Sequence, residues 1–152
     1  MNTYDTEKKN IAVNNKSIFD DTKKKAEQGD AKVQNNLGVM YYKGKGVEQN
    51  YKKAISWFKK AAEQGNAKAQ NNLGVMYYKG KGVEQNYKKA ISWFKKAAEQ
   101  GNAKAQYALG VMYYKGKGVE QNYKKAISWL EKAVKQRHSS ARTLLTEILK
   151  SE

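Results

Sequence analysis

The chain of 152 residues contains no cysteine and no proline, and His138 is its single histidine. The absence of cysteine excludes disulfides, thiol nucleophiles and cysteine-ligated metal sites. One histidine argues against a histidine-rich zinc cluster and against a catalytic pair of serine and histidine. The absence of proline suits a chain made mostly of helices. We therefore expect no metal site, no cofactor and no enzymatic activity.

Long apolar runs are also missing from the sequence. No stretch approaches the roughly 18 consecutive apolar residues of a membrane-spanning helix. Residues 1–16 lack the apolar segment of a signal peptide. These features predict a cytoplasmic protein without a membrane span, monomeric by itself. A periplasmic or secreted location is the alternative if a leader has been removed.

A repeat with a period of 36 residues dominates the sequence. The segment from Asp30 to Gly65 recurs over residues 66–101 with two changes, and again over residues 102–137 with seven further changes. Repeats of this length are typical of helical hairpins that stack on one another. Because one hairpin cannot bury its apolar faces alone, the repeats predict a solenoid.

Each copy is predicted to form two helices joined by a Lys-Gly-Lys-Gly loop. In the second copy, Asn66 and Asn86 are suited to cap the two helices through their side-chain oxygens. Gly80 is suited to end the first helix in the left-handed conformation. Gly74 lies inside that helix, where glycine is unfavourable by about 1 kcal/mol, and it therefore predicts a close contact between helices.

The predicted fold class is all-α, and the chain is divided as follows. Residues 1–14 are predicted to be a disordered tail because they are polar and lack a period. Residues 15–152 are predicted to form one solenoid domain. Its parts are a half-repeat at 15–29, full repeats at 30–65, 66–101 and 102–137, and a capping helix at 138–152.

The repeated pattern resembles a known family. In the second copy it is carried by Ala69-Gln70, Leu73-Gly74, Tyr77, Gly80, Gly82-Val83, Asn86, Ala90, Trp93-Phe94, Ala97-Ala98 and Gly101. This pattern resembles the Sel1-like repeat (SLR) family, a branch of the tetratricopeptide-repeat superfamily. The resemblance implies a right-handed α-solenoid acting as a non-catalytic scaffold or adaptor for protein–protein interaction. It further implies a bacterial regulatory, host-interaction or immunity protein.

The sequence departs from the family pattern in two ways. Asn50, Asn86 and Asn122 stand where the family often has aspartate, although asparagine still permits helix capping. The helix surfaces also carry more lysine than expected. The family resemblance therefore leaves the chemistry of the surface to this chain's own residues.

The first helix of each repeat has one face that the hairpin does not need for packing. On a helical wheel centred on Leu73, the opposite side carries lysine, asparagine, valine and tyrosine. By resemblance to the superfamily, this side lines the concave groove, where tyrosine would anchor an acidic partner protein or peptide. The predicted partner-binding residues are Lys32, Asn35, Val39, Tyr42, Lys43, Lys68, Asn71, Val75, Tyr78, Lys79, Lys104, Tyr107, Val111, Tyr114 and Lys115. Alternatively, the valines and tyrosines pack against the neighbouring repeat.

The other aromatic residues recur at positions that the family uses for its core. They are therefore predicted to pack inside the solenoid rather than to bind a ligand. These residues are Trp57, Trp93, Trp129, Tyr41, Tyr77, Tyr113, Tyr51, Tyr87 and Tyr123.

Nearly all of the net charge of +16 falls in the three copies, where equivalent lysines form ladders. The ladders are Lys45/Lys81/Lys117, Lys52/Lys88/Lys124, Lys53/Lys89/Lys125 and Lys60/Lys96/Lys132. One interpretation is a surface for a nucleic acid or an anionic membrane. A second is that lysine only keeps the solenoid in solution. Arg137 and Arg142 are the only arginines, which disfavours readout of bases.

No motif in the sequence specifies a catalytic site. Gly80-Lys81-Gly82 lacks the spacing of a phosphate-binding loop and follows a predicted helix rather than a strand. Glu48 and its equivalents in the other two copies have no acidic companion nearby in sequence, as a glycosidase pair would require. The sequence therefore favours a binding function.

Overall fold

A computed structural model describes residues 2–151, and these residues form eight α-helices. The helices are α1 Thr3–Glu27, α2 Ala31–Lys43, α3 Tyr51–Glu63, α4 Ala67–Lys79, α5 Tyr87–Glu99, α6 Ala103–Lys115, α7 Tyr123–Lys135 and α8 Ser139–Lys150. Each helix packs against the next one along the chain. The pairs α2/α3, α4/α5 and α6/α7 are the hairpins of the three repeats. The predicted all-α repeat solenoid is therefore confirmed.

The predicted caps bound the helices of each repeat. In α4, the side chain of Asn66 accepts a hydrogen bond from the amide of Ala69 at 2.9 Å. The side chain of Asn86 accepts from the amide of Lys89 at 3.0 Å at the start of α5. Gly80 ends α4 with a φ of +69°, a left-handed conformation that glycine adopts without strain. These local signals were readable from the sequence and are confirmed.

The glycine inside each first helix lies against an aromatic or leucine side chain of the second helix. A Cβ atom on Gly74 would lie 2.7 Å from two ring carbons of Phe94. A Cβ atom on Gly110 would lie 2.6 Å from the side chain of Leu130. The predicted close contact between the helices is therefore confirmed, and it leaves no room for a side chain.

A buried glutamine joins each repeat to the one before it. Gln70 is only 4% exposed, and its Nε2 donates to the carbonyl oxygen of Ala62 in α3 at 3.2 Å. Its Oε1 accepts from Nε2 of Gln100, just after α5, at 2.8 Å. Gln34 and Gln106 make the equivalent bonds in the other copies. This junction of three helices was not predicted from the sequence.

The first helix differs from its prediction. Residues 3–14 continue α1 as a helix, so the prediction of a disordered tail is corrected. The side chain of Asn2 accepts a hydrogen bond from the amide of Asp5 at 2.9 Å and caps the helix. Because residues 15–27 are already helical and packed, extending the helix toward residue 3 does not require the unfavourable step of forming a first helical turn. Residues 4–14 nevertheless remain exposed.

We predict that Gly74→Val destabilises the fold by about 1–3 kcal/mol or more, because the added side chain overpacks the contact with Phe94. Thermal unfolding followed by circular dichroism measures the effect. Ser92→Val is the control, since Ser92 is exposed on α5 and the same β-branched side chain meets no packed neighbour there. Equal melting of the two variants would contradict the close contact.

Candidate partner-binding groove

Two neighbouring depressions lie along the first helices α2, α4 and α6. The first has a volume of about 530 Å³ and is lined mainly by α2 and α4, with Asn102, Ala103 and Lys104 at its far side. The second has a volume of about 240 Å³ and lies between α4 and α6. Val75 and Lys104 line both, so the two depressions form one groove.

The groove brings together most of the residues that the sequence predicted for partner binding. These residues are Asn35, Val39, Tyr42, Lys43, Lys68, Asn71, Val75, Tyr78, Lys79, Lys104, Tyr107 and Val111. Lys32, Tyr114 and Lys115 line neither depression. Tyr114 packs instead beside the hydrophobic cluster that α7 forms with α8. The assignment of these residues to a partner remains a prediction.

Asparagine side chains make the first depression polar. Asn35 and Asn71 are only 5% and 7% exposed, although they line it. Nδ2 of Asn72 donates to Oδ1 of Asn35 at 2.9 Å. Asn72 was not predicted as a groove residue, because it falls at the border between the two faces of the helical wheel. Asn36 was missed for the same reason.

The second depression is apolar because two residues differ between the copies. Tyr107 and Ala108 stand where the second copy has Asn71 and Asn72. They line this depression together with Val111. The ring of Tyr107 lies 4.7 Å from that of His138, centroid to centroid. This contact packs Tyr107 against the residue that caps α8.

The groove is positively charged. Lys43, Lys68, Lys79 and Lys104 are exposed along it, and none of the described lining residues is acidic. Within residues 2–151 the one ion pair joins Lys16 to Asp20 in α1, away from the groove. The groove lysines are therefore available to a negatively charged group.

Residues 2–151 contain no group of three histidine, aspartate or glutamate side chains placed to hold a metal ion. None of the described helices combines the length and the apolar character needed to cross a membrane.

The tyrosines predicted as anchors also form the joints between repeats. The rings of Tyr78 and Tyr87 lie 5.2 Å apart, and Nζ of Lys117 donates to Oη of Tyr78 at 3.4 Å. Lys117 belongs to the loop of the next repeat. Tyr42, Tyr51 and Lys81 form the same joint one repeat earlier. The alternative that these tyrosines pack against the neighbouring repeat therefore applies to Tyr42 and Tyr78. Both also line the groove, and their role as anchors for a partner stays a prediction.

The loop that carries the lysine of each joint packs closely on the preceding repeat, and a glycine in the loop makes this close approach possible. A Cβ atom on Gly82 would lie 2.6 Å from the carbonyl group of Tyr51, and Gly118 meets Tyr87 in the same way. Hydrogen bonding to Tyr42, with its electrostatic attraction, raises the pKa of Lys81 above its usual 10.5. The equivalent contact with Tyr78 raises the pKa of Lys117. Lys81 and Lys117 therefore stay charged to a higher pH than a free lysine does.

The joints are incomplete at the two ends of the solenoid. Lys45 has the same loop position as Lys81, but Asn15 stands in α1 where Tyr51 would be needed. Tyr123 packs on Tyr114, but in the described part of the chain no lysine lies over this pair, and Tyr123 is 48% exposed. The prediction that Tyr123 belongs to the core is therefore corrected.

Two further lysine ladders pack on aromatic side chains. Nζ of Lys96 lies 4.5 Å from the ring centroid of Trp93, and Nζ of Lys89 lies 5.5 Å from that of Tyr77. The other copies repeat these contacts. Tyr77 and its equivalents are buried as predicted, whereas Trp93 and its equivalents are half-buried beneath lysine. Among the described residues, the ladder Lys52/Lys88/Lys124 makes no aromatic contact and is exposed.

Comparisons with known proteins match all three copies. The profile described as the Sel1 repeat matches residues 31–66, 67–102 and 103–138. The chain is similar to a protective antigen of uropathogenic Escherichia coli with an SLR fold, with 41% identity and a TM-score of 0.78. It is also similar to a Sel1 repeat protein from Oxalobacter formigenes, with 43% identity and a TM-score of 0.75. No curated protein matches significantly.

The chain covers these relatives only in part. The match with the Escherichia coli antigen spans 81% of this chain and 26% of the antigen. The match with the Oxalobacter formigenes protein spans 78% of this chain and 49% of that one. Cysteine-rich protein B of Helicobacter pylori matches over 84% of this chain and 97% of its own length, with 28% identity and a TM-score of 0.65.

We predict that Lys81→Ala and Lys117→Ala each lower the melting temperature, because each change removes a hydrogen bond and a cation–π contact at a joint. Because the joints raise the lysine pKa, their stabilisation is present below pH 10.5 and is lost as the pH rises through the raised value. Melts at neutral pH should therefore separate the variants from the unmodified chain more than melts at a pH above the raised lysine pKa.

Lys45→Ala is the matched control for this prediction. It removes the same charge from the same loop position, where no tyrosine pair is present. We expect its melting temperature to stay close to that of the unmodified chain at every pH. A loss as large as that of Lys81→Ala would mean that the joints contribute nothing specific.

Proposed function

The chain belongs to the Sel1 repeat family, and on that premise we propose that it is a protein-interaction module. Its groove along α2, α4 and α6 binds an acidic segment of a partner protein. One observation carries the proposal: the two depressions meet in a single groove whose charged lining residues are all lysines. Sel1 repeat proteins are generally non-catalytic scaffolds, and this supports a binding role.

The named relatives support a bacterial setting for this function. All three come from bacteria, and one is described as a protective antigen. That description applies to the Escherichia coli protein, of which this chain covers a quarter. We propose for this chain only the part of the function that a groove can provide, which is the capture of a partner segment.

Charge complementarity supports an acidic partner segment rather than a basic one. Lys68 and Lys104 are exposed at the first depression, and Asn71, which lines the same depression, offers an amide. Amide and ammonium groups both donate hydrogen bonds to carboxylates, and the ammonium bonds are the stronger ones. A basic segment would meet like charge along the whole groove and would be disfavoured.

We predict that the double variant Lys68→Glu with Lys104→Glu weakens binding of an acidic peptide by about tenfold or more, because both reversals place like charge at the groove. The probe is a fluorescein-labelled peptide of alternating glutamate and serine, about ten residues long so that it spans the repeats. Fluorescence anisotropy at physiological salt gives the dissociation constants.

The control variant Lys59→Glu with Lys95→Glu makes the same change in net charge. Both residues are exposed on the second helices and line neither depression. We expect this control to lose much less affinity than the groove variant. Equal losses would show that net charge alone attracts the peptide, and the groove would then have no special role.

A second function is favoured by the exposed ladder Lys52/Lys88/Lys124. In the described residues these lysines form neither ion pairs nor aromatic contacts, so they are available to a polyanion such as a nucleic acid or an anionic membrane surface. A labelled single-stranded DNA separates this function from the first one. Its binding should be lost when this ladder is changed to glutamate and retained when only Lys68 and Lys104 are changed.

A further inference from the structure

The two halves of the groove differ in chemistry, and this difference specifies a ligand more closely than charge alone. Resting on the proposed function, we propose that the groove selects an extended peptide with one large apolar side chain about three residues from a cluster of carboxylates. The apolar side chain enters the depression between α4 and α6. The carboxylates lie in the depression between α2 and α4.

The apolar end of the ligand is specified by the second depression. Its walls include Val75, Ala108 and Val111, and its volume of about 240 Å³ gives room for one large apolar side chain. Tyr107 forms a further wall, and its contact with His138 supports it. Burial of an apolar side chain against aromatic and aliphatic walls lowers the free energy of binding, so this depression favours a residue such as phenylalanine.

The acidic end of the ligand is specified by Asn71. Its counterpart Asn35 accepts a hydrogen bond from Asn72, but Ala108 occupies the position from which Asn71 would receive the same bond. Asn71 is 7% exposed, and its amide makes no hydrogen bond among the described residues. Among the described residues, every fully buried side-chain nitrogen or oxygen has a hydrogen-bond partner. The amide of Asn71 has none, so it is not fully buried and is accessible from the depression that it lines.

The spacing between the two ends follows from the repeat. Successive repeats are taken to be on the order of 10 Å apart, the scale of helix packing, and an extended peptide advances about 3.3 Å per residue, so one repeat corresponds to about three residues. Val75 and Lys104 line both depressions and make the path between them continuous. Lys68 and Lys104 line the first depression together with Asn71 and supply positive charge for the carboxylates.

The test uses labelled peptides that differ only in the apolar residue. One has the sequence Gly-Phe-Gly-Gly-Asp-Glu-Asp-Gly, a second has the reverse order, and each is matched by a version with serine in place of phenylalanine. We expect phenylalanine to strengthen binding about tenfold in at least one of the two orders, as burial of an aromatic side chain would. Fluorescence anisotropy with the unmodified chain measures this difference.

The variant Tyr107→Asn with Ala108→Asn restores the residues of the second copy and should remove the preference for phenylalanine. Because asparagine at position 108 would also give Asn71 a hydrogen-bond partner, the variant acts on both peptides at their carboxylates. The readout is therefore the ratio of the phenylalanine and serine affinities, which should fall to about one. The matched control is Tyr4→Asn with Ala12→Asn, which makes the same changes at exposed positions of α1 and should keep the preference. Circular dichroism checks that each variant remains helical.

The outcomes separate the two proposals. If the phenylalanine and serine peptides bind equally to the unmodified chain, the apolar depression is not a subsite and only this inference fails. If neither peptide binds in either order, the proposed function fails as well. A preference for phenylalanine that survives the Tyr107 and Ala108 changes would place the apolar contact elsewhere and would also overturn the inference.

Discussion

The hydrogen bonds of the buried glutamines hold the repeats in register, and the groove depends on that register. In a solenoid each repeat contacts only its neighbours, so every relation between repeats is fixed at a shared junction. Gln70 is bonded to α3 on one side and to the end of α5 on the other, and it therefore sets where α4 lies between them. The lysines and asparagines of α4 point into the groove because α4 is held there. A buried amide that lost its partners would be costly, which makes this arrangement specific.

The sequence was sufficient for those parts of the fold that depend on local signals. The period, the asparagine caps, the glycine at the end of each first helix and the contact of Gly74 with the second helix all follow from residues close together in the chain. The glutamine junction joins side chains that are thirty residues apart in the chain. A helical wheel predicts which face of its helix a residue occupies, but it does not predict which residue of another helix lies against that face. The same limit explains why Tyr78 was recognised as a groove residue while its bond to Lys117 was missed. The helical start of α1 was missed because residues 3–14 pack on nothing, so no apolar pattern marks them.

Near-identity of the copies conceals a difference between the two halves of the groove. Changes at Tyr107 and Ala108 replace two amides by an aromatic ring and a methyl group, and they also remove a hydrogen-bond partner from Asn71 in the neighbouring repeat. One substitution pair therefore alters two depressions at once, because each depression is built from two repeats. Asn35 and Asn71 occupy equivalent positions, but only Asn35 is hydrogen-bonded, because its neighbour in the next repeat is Asn72 whereas that of Asn71 is Ala108.

The joint of one lysine with two tyrosines has a consequence for how the solenoid opens. Each complete joint requires both flanking repeats, and the chain has two complete joints among the described residues, at Lys81 and at Lys117. The second repeat takes part in both, since it supplies Lys81 to one and Tyr78 to the other. The outer repeats, although nearly identical in sequence, each lack one joint. Fraying should therefore begin at the ends, and backbone amides of α4 and α5 should exchange with solvent most slowly.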